Sequence, residues 1–178
     1  MYYSSRLMPL VLALYVGHRV LAERANFFRR QLGGLVVFCV TFLITVSPLA
    51  EYAVQHPADF NSRTETVTVF KEAADSHSYQ PVVENLRKHL LMFQYAGDRN
   101  GRHNLPGAPM LDQVMAALFG LGLMMVALRV HAREGFFLAG WFAVMLAGGV
   151  FSLSFEAPQG YRTIDEVTAV ALLYRIAP

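Results

Sequence analysis

The sequence predicts an all-α integral membrane fold, on three observations: an apolar surplus, apolar runs of spanning length, and cations confined to particular connections. Hydrophobic residues make up 54% of the 178 and charged residues 16%, whereas soluble domains carry about 25% charged residues. Mean hydropathy is +0.35. The runs argue for four to five transmembrane helices with an extracytoplasmic helical loop domain between them. A net charge of +2 without a Lys/Arg-rich tract excludes nucleic acid as a partner. Cys39 is the single cysteine and lies in an apolar run, which excludes disulfides and cysteine-based metal sites. The chain has no internal repeat and no low-complexity segment.

The elements follow in order. Leu7 to Ala22 is the first candidate span, interrupted by His18 and Arg19. Sixteen helical residues reach about 24 Å, short of a hydrocarbon core of about 30 Å, so flanking residues must contribute. Arg19 can snorkel to the interface from there. Arg6, the apolar run and Val20-Leu21-Ala22 also resemble a signal peptide, although His18 and Arg19 just before the cleavage position argue against it. Leu32 to Val54 is the clearest span. Val114 to Val130 and Phe136 to Phe155 follow, and Val167 to Tyr174 begins a fifth that stops short. The domain organisation is therefore 1–54, two spans and a basic loop; 55–110, the outer loop domain; and 111–178, two spans plus a truncated fifth.

Cations set the topology. Arg24, Arg29 and Arg30 lie between the first two spans, and Arg129, His131 and Arg133 between the third and fourth. Short basic loops stay in the cytoplasm. The N-terminus, the long connection from Glu51 to Asp112, and the turn from Glu156 to Glu166 then face outward. The outer connection contains Val82, Leu86, Leu90 and Phe93 at helical spacing, with Glu84, Arg87 and Lys88 on the other side. That amphipathic helix either lies in the membrane interface or packs its apolar stripe against the protein's own outer domain.

The stretch from Gly97 to Asp112 concentrates Arg99, Arg102, His103 and Asn104 between turn residues, with Pro106 and Pro109 stiffening it. Such a loop suits an anionic lipid head group held at the water boundary; it also suits a solvated connection. This stretch, Tyr2 to Pro9, His56-Pro57-Ala58-Asp59-Phe60 with Arg63 and Val67 to Phe70, and Glu156-Ala157-Pro158 with Arg162 carry a resemblance. In order and spacing they resemble the C-terminal portion of bacterial GT-C type polyprenol-phosphate-sugar glycosyltransferases. These are related to the dolichyl-phosphate-mannose protein mannosyltransferases and the aminoarabinose transferases.

The resemblance implies a multi-pass protein of the bacterial inner membrane, its long loop facing the periplasm. It implies sugar transfer from a polyprenyl-phosphate carrier. It also places the family's catalytic carboxylate on an earlier outer loop that this pattern does not include, so no catalytic residue is assigned and a partner chain could supply the missing half. Membrane lipid and the lipid-linked sugar are the expected partners, and no cofactor or metal is expected.

Arg6, Arg102 and Arg162 come from separate outer junctions that could meet around one phosphate, whose oxygens match the guanidinium fork. His103 could bond the phosphate or a sugar hydroxyl, Asn104 could orient a hydroxyl, and Glu156 could orient Arg162 or Arg102. Alternatives remain: Arg6 as an interfacial anchor, and Arg162 in local salt bridges with Glu156, Asp165 and Glu166. A non-catalytic membrane scaffold, its outer arginines paired with carboxylates, is the competing function. A transporter comes last, because the spans carry no ionisable residue at mid-depth.

Overall fold

The computed structural model describes residues 7–60, 68–102 and 105–160, together with Ala169 and Leu172. Among the described residues the regular structure is helical: α1 (Met8–Glu23), α2 (Ala25–Gln55), α3 (Val69–Asp75), α4 (Gln80–Leu91), α5 (Gln113–Leu128) and α6 (Arg133–Val150), then a 3-10 turn at Ser154–Glu156. An isolated bridge joins Thr68 to Ser152. Packing divides the chain into two units, Val16–Val67 and Met1–Tyr15 with Thr68–Pro178.

In the Val16–Val67 unit, α2 is longer than the apolar run that predicted it. Its Asn26–Gln55 portion has 30 residues, a mean hydropathy of 2.2 in its most apolar window, and none of that window buried. At 1.5 Å per residue that is about 45 Å, enough to cross a bilayer. Pro48 lies inside the helix and has no N–H for the Ile44 carbonyl. Ser47 Oγ donates to that carbonyl at 2.8 Å instead. Thr45 Oγ1 donates to Thr41 O at 2.8 Å, so these hydroxyls also need no water.

The basic connection expected between the first two spans is reduced to one residue. Arg24 stands alone between α1 and α2 at φ 48°, while Arg29 and Arg30 belong to the start of α2. Arginine is a good helix former, and no Gly or Pro breaks the chain between Arg24 and Arg30. Arg19 is tied down by its surroundings: it pairs with Glu23 at 2.9 Å and its guanidinium lies 5.8 Å from the Phe27 ring centre.

In the other unit, α5 and α6 form an antiparallel hairpin through the turn Arg129–Ala132. Asp112 caps α5, its Oδ1 accepting from Met115 N at 2.9 Å. The core between them is aromatic, with Phe93, Phe119 and Phe142 in mutual contact at centroid distances of 4.9 to 5.8 Å. Met92, Val126, Leu138, Leu146 and Val150 close it. The N-terminal part of α1 contributes Tyr15, edge-on to Phe137 at 5.1 Å. Beyond Gly160 only Ala169 and Leu172 are described; Ala169 is buried and Leu172 packs against this core.

Helix α4 forms where the amphipathic pattern predicted, with Glu84 and Arg87 of its polar side exposed and Lys88 half-buried. Its buried residues are Asn85 and His89. Of the apolar stripe, Leu86 and Leu90 are exposed, Val82 is half-buried and Phe93, just past the helix, is buried; Val83 is exposed as well. The reason is local: backbone carbonyls leave α6 unpaired at its C-terminal end, and only a polar face can answer them. Asn85 Nδ2 donates to Val150 O at 3.0 Å and to Ser152 O at 2.7 Å.

Candidate functional site

The stretch after α4 is tied into a compact loop. Met110 N and Leu111 N donate to Met92 O and Phe93 O, each at 3.0 Å, and Gly107 N donates to Asp98 O at 2.9 Å. Gly107 has φ 75°, a conformation that favours glycine. Within the loop, Asp98 Oδ1 accepts from Asn100 N at 2.8 Å and Asn100 Oδ1 from Arg102 N at 3.1 Å. Two consecutive Asx turns therefore set the backbone that bears Arg99 and Arg102.

The segment leaving α6 is held with equal care. The Glu72 carboxylate on α3 accepts from both Ser154 N, at 3.1 Å, and Ser154 Oγ. Lys88 Nζ donates to Ser154 O at 3.3 Å. Beyond the 3-10 turn, Gln159 N donates to His89 Nε2 at 3.2 Å, and Gly160 N to Asp98 Oδ2 at 3.1 Å.

These two segments line one depression of about 470 Å³, with Asp98, Arg99, Asn100 and Arg102 on one wall and Phe155, Glu156, Ala157 and Gln159 on the other. Asp98 is buried, at 3% exposure, and belongs to both walls. Among the described residues neither the Arg99 nor the Arg102 guanidinium has an ion-pair partner. Glu156 accepts from Gln159 Nε2, and no ion pair joins it to Arg102; its other expected partner, Arg162, lies outside the described residues. Two exposed guanidiniums beside a clamped carboxylate can receive a phosphate and a hydroxyl-bearing group side by side.

No protein-family model, curated protein or solved structure matches this chain.

Arg102 and Glu156 thus share a site. Arg6, His103, Asn104 and Arg162 lie outside the described residues. Asp98, Asn100 and Gln159 were not singled out from sequence. The Asp-x-Asn-x-Arg spacing of 98 to 102 was a usable signal for the Asx turns. Gln159 carried none, because its role comes from α4.

His89 is fully buried behind the depression. Nδ1 lies 2.8 Å from Asn85 O, an acceptor only, and Nε2 faces the Gln159 N–H, a donor only. The imidazole is therefore the Nδ1–H neutral tautomer. Burial lowers its pKa below the ordinary 6.5; the Asn85 carbonyl opposes this, Lys88 adds to it and Asp98 opposes it. Among the described residues no group of three or more His, Cys, Asp or Glu could hold a metal ion.

Proposed function

We propose that this chain forms the carrier-binding part of a multi-pass membrane glycosyltransferase that draws sugar from a polyprenyl-phosphate donor on the outer face of a bacterial inner membrane. The observation that supports this is Arg99, Arg102 and Glu156 lining one depression with both guanidiniums unpaired among the described residues. A scaffold subunit would spend its outer arginines on carboxylates.

Position supports it too. The loop entering α5 and the segment leaving α6 emerge at the end of the hairpin opposite the turn bearing Arg129, His131 and Arg133. With that basic turn in the cytoplasm, the depression faces outward. On this proposal α2 spans with length to spare. Helices α1, α5 and α6, with 16, 16 and 18 residues, span by local thinning and flanking anchors, at a cost of fractions of a kcal/mol per Å of mismatch.

The chemistry asked of these residues is electrostatic. As the bond between anomeric carbon and phosphate oxygen breaks, the electron pair stays on the phosphate, and the arginine forks stabilise the charge that gathers there. Glu156, fixed by Gln159, orients a sugar hydroxyl. The catalytic carboxylate is left to the earlier outer loop that the resemblance implies.

Binding of undecaprenyl phosphate in mixed detergent micelles tests the assignment. R102A should weaken binding about tenfold to a hundredfold, the worth of a charge-assisted hydrogen bond, while R29A on α2 should not. Equal binding by wild type and R102A would overturn it.

A further inference from the structure

The two buried side chains of α4 do more than fill space. Apolar side chains at 85 and 89 would leave the Val150 and Ser152 carbonyls and the Gln159 N–H without these partners, and Val83, Leu86 and Leu90 stay outside. Asn85 and His89 are each 0% exposed, and both grip backbone of the segment that leaves α6. Asn85 holds its start, at Val150 and Ser152. His89 holds its end, at the Gln159 N–H. The next amide, Gly160 N–H, goes to Asp98, whose other oxygen sets the arginine-bearing turn. The Gln159 side chain turns back to the Glu156 carboxylate. From His89, one hydrogen bond reaches the Gln159 backbone, and the Gln159 side chain carries the link to the wall of the depression.

We propose that His89 is a positioning residue of the depression: its neutral Nδ1–H imidazole, acting through Gln159, sets where the Glu156 carboxylate stands relative to Arg102. Both of its partners are backbone groups that accept only or donate only, so the tautomer is dictated by the chain itself. The ligand in this role rests on the donor-binding function proposed above; the coupling between His89 and Glu156 does not.

Two measurements on the full chain in micelles test it. The first is the imidazole 15N spectrum, with the His89 signals assigned by their loss in H89Q. The expected result is a protonated Nδ1 and a bare, hydrogen-bonded Nε2, with the Nε2 signal shifting in E156A. A histidine that only fills space would not sense that change at the depression. The second is undecaprenyl phosphate binding by H89A and H89Q. Loss of one buried hydrogen bond should weaken binding about tenfold in H89A, and the Gln carbonyl, able to accept from Gln159 N–H, should restore most of it. An Nε2 signal indifferent to E156A, or H89A binding like wild type, overturns the positioning role. Should H89A fail to fold, the comparison of wild type with E156A decides alone. If wild type binds no undecaprenyl phosphate while E156A still shifts Nε2, the donor-binding function falls and the positioning of Glu156 stands.

Discussion

At the scale of single residues, the arginines of the depression declare themselves in sequence and the groups that aim them do not. Arg102 stands among His, Asn and Pro, a composition with an obvious chemical use. Asp98 looks like one more loop acid. In the fold it is a buried strut, and its value is the pair of backbone N–H groups, Asn100 and Gly160, that it satisfies. Asp98→Ala should cost about 3 kcal/mol, the loss of two hydrogen bonds to a charged group, seen as a lower thermal midpoint in detergent. His89 yields a pH prediction. Folded, it is held neutral by burial, assisted by Lys88 and opposed by the Asn85 carbonyl and Asp98. Glu156 is linked to it through Gln159. Unfolded, it takes up a proton as pH falls through 6.5, so the unfolded state binds more protons there and stability falls with falling pH. The stabilisation is complete above 6.5 and fades on the way down to the lowered folded value. Midpoints measured from pH 8 to 5 should fall more steeply for wild type than for H89Q; parallel curves would remove His89 from the acid response.

At the scale of elements, boundaries followed local chemistry closely and faces did not. Asp112 before an apolar run is an N-cap signal, and α5 starts there. Arg129 to Ala132 is a turn, as expected between these helices, and its tightness shows at Gly135. A Cβ on Gly135 would meet the Arg129 carbonyl oxygen, with the carbonyl carbon only 2.7 Å away. Backbone cannot yield as a side-chain end can, so Gly135→Ala should cost about 3 kcal/mol or more, measured as thermal stability of the α5–α6 unit. The start of α2 took in Arg29 and Arg30, assigned to a loop, because nothing from Ala25 to Arg30 stops a helix. Helix α4 is the instructive case. Its periodicity correctly marked a helix with an apolar stripe, yet tertiary demand came from orphan carbonyls at the end of α6, and Asn85 and His89 outweighed Leu86 and Leu90 for the inside position.

For the whole molecule, the central question is whether α2 lies in lipid. Cys39 reports on it: it is exposed on the protein surface in mid-helix, and no other cysteine competes for the label. In intact membranes it should resist a membrane-impermeant maleimide and react once detergent is added; labelling without detergent would place α2 outside the bilayer. The all-α class, the helical segments and the chemical character of the Gly97–Asp112 loop were determined by sequence alone, since periodicity, capping and turn propensity are local and act within a few residues. Only the tertiary structure decided that Arg102 and Glu156 share one depression, that α4 buries Asn85 and His89, and that Asp98, His89 and Gln159 hold the walls. The physical reason is that a buried polar group is satisfied by whichever partner the fold brings within about 3 Å, and those partners, Asn85 with Ser152 or Asp98 with Gly160, lie too far apart along the chain for any local pattern to announce them.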